Sequence, residues 1–217
     1  MEHDFINLTP ENLANEHLCC IIRSKSVHAG IEAKRQWLSE RLKEGHVFRK
    51  LNEKATVFIE YAPLEAAWVP VVGDNYYYLY CLWVEGREKG KGYGKELMEY
   101  CLADAKAKGK SGICELLALS LDGTRPRFAK NAKSGNIENK ELTIYYDMQC
   151  PYIFQTVGQI KLYCEQNNIP VSLIQIDTLR KAKELPCVFN NFAVFYKGNF
   201  QTVNLLDTTS LKTLLKK

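Results

Sequence analysis

Long apolar runs are missing from this 217-residue chain: the longest, Tyr76 to Val84, is about half of what a bilayer-spanning helix needs. No basic segment followed by an apolar stretch opens the sequence, so the expected location is the cytosol and no membrane partner is expected. Charge of one sign is also scarce. Lys and Arg number 29 against 25 Asp and Glu, and a scattered +4 leaves no footprint for nucleic acid. Histidine is confined to His3, His17, His28 and His46, and no Cys-x-x-Cys pair occurs. The compact group His17-Leu-Cys19-Cys20 lacks a second ligand pair at finger spacing, so it reads as core-facing and no metal is expected.

What is present is a globular composition, 46% apolar, 25% charged and 11% aromatic. That is enough for a packed core, and the length allows one large domain or two small ones. Eight cysteines would suggest disulfides in a short secreted chain. Here Cys81, Cys101, Cys114, Cys164 and Cys187 fall inside apolar helix or strand patterns, where a free thiol acts as a small hydrophobe.

Thr9-Pro10-Glu11 combines an N-cap residue with Pro at a first helical position, and Leu13, His17, Leu18 and Ile21 follow at helical spacing. A helix is predicted over residues 7–22, and a second over 30–44, ended by Gly45. The period then changes to that of strands, over 47–51, 56–61, 67–72 and 76–84, rich in Val, Ile, Tyr, Phe and Trp. These predict an antiparallel meander whose last member, apolar on both faces, is central. A glycine-punctuated stretch leads to a helix ending near Lys108, with Leu97, Met98, Cys101, Leu102 and Ala105 on one face. A strand is predicted over 113–121, and a polar stretch follows. From Leu142 the pattern reads strand, helix, strand, short helix, two paired strands and a closing helix. Residues 1–115 hold 16 basic and 17 acidic residues, so the C-terminal part carries the whole basic excess.

The segment Tyr78-Leu-Tyr-Cys-Leu-Trp-Val84 runs into Glu-Gly-Arg-Glu-Lys89-Gly90-Lys91-Gly92-Tyr93-Gly94-Lys95. A strand, a glycine loop and a helix in immediate succession aim free backbone N–H groups and a helix N-terminus at one point, a cradle for an anion such as phosphate. The spacing fits neither a Walker loop nor the dinucleotide fingerprint, because the glycines stand at alternate positions and the preceding strands read as antiparallel. Glu60, in Phe58-Ile-Glu-Tyr61 beside this cleft, is the candidate base for an amine; a strand-end glutamate facing solvent is the bland alternative. No position for a general acid is legible, and Tyr78 and Tyr80 read as core or pocket wall.

This segment resembles motif A of the GNAT-type N-acetyltransferases, with Lys89, Gly92 and Gly94 in the motif's places. Together with Val57 to Trp68 and Tyr145-Tyr-Asp-Met-Gln-Cys-Pro151, it makes the chain similar to the YoaP-like acetyltransferases, which join a GNAT domain to a small thioredoxin-like one. The resemblance implies an α/β (α+β) fold: a GNAT-like mixed, mainly antiparallel sheet with flanking helices over 1–121, a linker over 122–140, and a thioredoxin-like domain over 141–217. It also implies that backbone amides of Gly90, Lys91, Gly92, Tyr93, Gly94 and Lys95 take the pyrophosphate of acetyl-coenzyme A, with Lys89 beside them. Leu82, Trp83 and Val84 would offer backbone groups to the pantetheine arm. The expected activity is N-acetyltransferase, by direct attack of a small-molecule or peptide amine on the thioester. The family pattern continues past Glu115 with another helix and two strands, whereas here only about 25 residues separate Glu115 from the next domain.

Cys150-Pro151-Tyr152-Ile153 stands where a thioredoxin-type protein places Cys-x-x-Cys at a helix N-terminus, an environment that favours the thiolate. Cys150 is therefore the candidate reactive thiol. The resolving position is Ile153, and no proline stands five residues before Phe195, which argues against dithiol redox chemistry and for a docking or gating module. A second reading stays open: a non-catalytic coenzyme A-binding or sensor protein that meets a partner through its C-terminal domain.

Overall fold

The computed structural model describes residues 3–18 and 28–216. They fold as two compact units. The first takes in the described residues up to Ile31, then Arg35–Ala67 and Val72–Arg127; the second comprises Glu32–Lys34, Trp68–Val71 and Phe128–Lys217.

The elements up to residue 128 are β1 (Phe5–Asn7), α1 (Ala29–Leu42), β2 (Val47–Leu51), β3 (Val57–Pro63), β4 (Val71–Val72), β5 (Tyr76–Val84), α2 (Tyr93–Ala107), β6 (Gly112–Cys114), β7 (Ala118–Ser120) and β8 (Arg127–Phe128). The main sheet of the first unit has the order β1-β2-β3-β5-β6-β7. Its pairs are antiparallel except β5–β6, which is parallel. The meander forms where the alternating pattern predicts it. β3 is buried along almost its whole length because it is sandwiched between β2 and β5. Residues 57, 59 and 61 of β3 join Tyr77 of β5 and Leu97, Cys101 and Ala105 of α2 in one core. Burying one such aliphatic side chain contributes roughly 1.5–3 kcal/mol.

Three local expectations fail, each for a physical reason. The N-terminal helix does not form over the described part of residues 7–22. Phe5–Asn7 instead pairs as an edge strand with β2, and Leu13 N–H and Glu16 N–H close single turns onto Thr9 and Asn12. Leu8, Leu13 and Leu18 are buried all the same, so the apolar spacing served a loop rather than a helix; Cys19 to Ile22 lie outside the described residues. The run 67–72 yields only β4, since Pro70 has no N–H for a ladder and Ala66 N–H and Ala67 N–H fold back into a turn at Pro63 and Leu64. The run 113–121 breaks into a hairpin. Glu115 N–H donates to Leu117 C=O at 2.8 Å and β7 returns antiparallel to β6, leaving Leu116 and Leu117 66% and 87% exposed.

The second unit contains β9 (Leu142–Tyr146), α3 (Pro151–Gln166), β10 (Val171–Gln175), α4 (Leu179–Lys183), β11 (Phe192–Tyr196), β12 (Asn199–Thr202) and α5 (Thr208–Leu215). This is the element order predicted from the pattern. The sheet runs β10-β9-β11-β12, with β9 and β10 parallel around the α3 crossover and β11 antiparallel to both neighbours. Lys197 (φ 52°) and Gly198 (φ 81°) close the β11–β12 hairpin in two residues, a turn that matches the strand twist. Ile153, Val157, Ile160 and Cys164 of α3 pack with Leu211 and Leu214 of α5 over Ile144 and Val194. Residues 134–137 are tied into this unit: Gly135 N–H donates to Pro186 C=O and Ile137 N–H to Gly198 C=O, both at 2.9 Å.

Candidate active site

β5 is nine residues long, but β6 pairs only with its first three, Tyr76 to Tyr78. From Leu79 to Val84 that edge of β5 has no strand partner among the described residues. A cavity of about 340 Å³ opens there, lined by Leu79 of β5, Met98 and Leu102 of α2, Ile113 and Cys114 of β6, and Leu117 and Leu119 of the hairpin. Its walls are mostly apolar, as ligand pockets commonly are.

The glycine loop lies at the end of that edge. Gly90 and Gly92 adopt φ of 80° and 88°, the left-handed region that glycine enters without a Cβ penalty. A Cβ placed on either would meet nothing within 4 Å, so both face open space. Gly92 is the N-cap of α2, and the helical ladder starts only where Glu96 N–H reaches Gly92 C=O. The N–H groups of Tyr93, Gly94 and Lys95 precede that ladder, at the positive end of a 15-residue helix. Loop and helix thus form an anion cradle from backbone alone. Lys91 Nζ lies 2.7 Å and Arg87 Nε 2.8 Å from the two carboxylate oxygens of Glu88. These contacts, Lys91's first, hold the Glu88 carboxyl below its ordinary range and raise the Lys91 ammonium. Trp83 is 49% exposed, and Leu82 and Val84 are half-buried beside the loop.

Glu60 is not at a strand end facing water. It is fully buried in the middle of β3, opposite Phe48 of β2 and Cys81 of β5, and His46 Nε2 lies 3.0 Å from its Oε1. A carboxylate removed from water needs such a donor to stay ionised. The β3–β5 register shifts just there: Glu60 pairs with Cys81 and Tyr61 with Leu79, so Tyr80 is an extra residue on β5. Bulges of this kind re-aim backbone groups and gather at functional sites. His46 and the bulge escaped the sequence reading. The His lies 14 residues from Glu60 with no shared pattern, and no glycine marks the bulge.

The glycine loop, the open β5 edge and the cavity come together in the first unit. The acetyltransferase (GNAT) family model matches residues 12–125, more than half of the chain. The chain belongs to the acetyltransferase (GNAT) family. A YoaP-like family model matches residues 170–213 of this acetyltransferase. Over 245 residues it is 32% identical to the "Uncharacterized N-acetyltransferase YoaP" of Bacillus subtilis (strain 168), covering 97% of this chain and 98% of the relative. That alignment is longer than the 217 residues here, so the relative carries segments with no counterpart in this acetyltransferase. Among solved structures it is similar to a GNAT family acetyltransferase from Brucella melitensis in complex with acetyl-CoA, at 16% identity and a TM-score of 0.39, over 58% of this chain and 94% of that one.

In the second unit, Cys150 is the N-cap of the 16-residue α3, with Pro151 at the first helical position. Its thiol is half-buried and in no disulfide. Ile153, in the place of a resolving cysteine, is fully buried. Cys81, Cys101, Cys114, Cys164 and Cys187 are likewise in no disulfide, and burial pushes the Cys101 and Cys187 thiols up to about 12. No helix among the described residues is long and apolar enough to cross a membrane.

Proposed function

We propose that this GNAT-family chain transfers an acetyl group from acetyl-coenzyme A to a small-molecule or peptide amine. The observation that carries the reading is the unpartnered β5 edge running directly into a glycine loop in which Gly90 and Gly92 face open space at the N-terminus of α2. In this reading the amides from Gly90 to Lys95 hold the pyrophosphate, with Lys89 as a nearby cation. Leu82, Trp83 and Val84 direct backbone groups along the pantetheine arm, and the cavity beside Leu79 and Met98 takes its apolar part. The bulge at Tyr80 stands next to the thioester, and Glu60 is the base. The acceptor ammonium gives one proton to Glu60, its nitrogen attacks the thioester carbonyl, the C–N bond forms as the C–S bond breaks, and a second nitrogen proton goes to the departing sulfur.

For the second unit we propose a thioredoxin-like domain spanning residues 141–217. The supporting observation is the β-α-β-α-β-β-α order with a β10-β9-β11-β12 sheet and a cysteine at the N-cap of its first helix. With Ile153 buried in the resolving place, Cys150 serves as a single reactive thiol on a docking or gating module rather than as half of a dithiol.

Titration calorimetry with acetyl-coenzyme A, with Gly92→Trp as the control, tests the reading. Micromolar binding that the variant abolishes is the expected result, followed by a screen of amines for acetylation. Equal binding by both proteins, or none by the wild type, overturns the assignment of the cradle.

A further inference from the structure

The residue that contacts Glu60 lies outside every motif of the sequence. His46 is 4% exposed, lies just past the turn that ends α1 at Leu42, and turns Nε2 to Glu60 Oε1 at 3.0 Å. Its ring is fixed on two sides: the Trp37 indole meets it edge-on at 5.3 Å between centroids, and the Tyr80 ring lies 5.1 Å away, tilted by 41°. Trp37 and Tyr80 also touch each other at 6.0 Å, so the imidazole sits in an aromatic corner. His46 N–H donates to Arg41 C=O at the end of α1, which fixes the backbone as well. A histidine held this firmly on ring and backbone has one orientation, and in it Nε2 meets the carboxylate.

Tyr80 supplies the link to the reaction. It is the extra residue of the bulge, at the point where β5 leaves β6 and its edge opens. Tyr80 is thus shared by the corner that fixes His46 and by the strand whose edge opens beyond β6. Titratable and charged groups around the pair include Tyr80, Tyr78 and Cys81 of β5 and Arg41 of α1, whose guanidinium lies 5.9 Å from the Trp37 ring.

We propose that His46 is a positioning residue for acetyl transfer, keeping Glu60 ionised and aimed behind the bulge at Tyr80. This rests on the acetyl-transfer reading above. In the step, His46 Nε2–H donates to Oε1 throughout. The acceptor ammonium gives one proton to Glu60 through an intervening water, its nitrogen forms the C–N bond as the C–S bond breaks, and a second nitrogen proton goes to the thiolate. Glu60 then returns its proton to solvent. A buried carboxylate that loses its donor holds a proton more tightly, so without His46 the base form appears only at higher pH.

The test compares two acceptors with the full chain and acetyl-coenzyme A: propylamine, which is protonated at neutral pH and needs a base, and hydroxylamine, which is mostly unprotonated and does not. His46→Leu is expected to lower kcat/KM for propylamine roughly 10²-fold and to move the acid limb of its pH profile upward. Hydroxylamine turnover and acetyl-coenzyme A affinity should stay near wild type, and His46→Gln, which keeps a donor, should recover most of the loss. Equal losses on both amines, or a propylamine profile unmoved by His46→Leu, overturn the proposal while leaving the acetyl-transfer reading intact. Failure of the wild type to bind acetyl-coenzyme A overturns that reading and this proposal with it. If His46→Leu does not fold, the imidazole nitrogen resonances of the wild type and Glu60→Leu decide: a fixed Nε2–H tautomer lost in Glu60→Leu supports the positioning role, and identical spectra sink it.

Discussion

Lys91 Nζ sits 2.7 Å from Glu88 Oε2, so a cation of the glycine loop is engaged by a carboxylate of the same loop. Glu88 is itself buried and holds Arg87 on its other oxygen. The basic charge of the loop is thus partly neutralised from within, and under the proposed reading the uncharged backbone amides of α2 carry more of the phosphate recognition than the number of basic residues suggests.

Glu88→Gln should tighten acetyl-coenzyme A binding about threefold at low ionic strength, since a partly exposed ion pair is worth well under a factor of ten. The gain should fade in 0.5 M salt, where screening acts within about 4 Å (on the order of a Debye length). Calorimetry at two salt concentrations reads it, and weaker binding in the variant would mean that Glu88 acts by ordering the loop.

Gly112→Ala should destabilise the first unit by about 1–3 kcal/mol, the cost of overpacking. An added Cβ would come within 3 Å of Leu119 C=O and of the Tyr76 ring, and backbone cannot yield as a flexible side chain does. Urea titration measures the loss, and an unchanged midpoint would show that the β6–β7 hairpin lifts away freely.

Alkali should unfold the protein in a defined window. Burial, with Asp104 beside it, raises the Tyr61 hydroxyl far above its ordinary value of 10.0 and moves Tyr77 up to about 12; Cys101 and Cys187 rise from 9.0 to about 12. Each is neutral in the folded state where the unfolded chain has already lost its proton. Their contribution is complete below pH 9 and is lost as pH climbs toward 12. Denaturant melts at pH 8, 9.5 and 11 should show a falling midpoint, and a flat profile would contradict the burial of these groups.

Iodoacetamide should modify Cys150 faster than any other described thiol at neutral pH. It is half-buried at the N-terminus of α3, whereas Cys101 and Cys187 are buried and held as thiols. Peptide mass spectrometry after timed labelling gives the order, and equal rates for Cys150 and Cys187 would refute the assignment.

Much of the architecture was legible because local chemistry and tertiary context agreed. Alternating β-branched and aromatic residues placed β2, β3 and β5, glycines at alternate positions placed the start of α2, and Cys150-Pro151 marked the start of α3. The N-terminal segment was misread because Thr9-Pro10-Glu11 with its spaced leucines has a helix's local signature, and only the free edge of β2 drew Phe5–Asn7 into a strand. The run 113–121 read as one strand, and the turn at Glu115 has no glycine or proline to announce it.

Consecutive residues are enough to mark where an anion could be cradled, since an N–H-rich loop at a helix start is a local property. What Glu60 meets is a matter of packing. Its burial, the approach of His46 from 14 residues away and the extra residue at Tyr80 all arise from how β2, β3 and β5 align, and register between strands depends on packing that no single segment encodes.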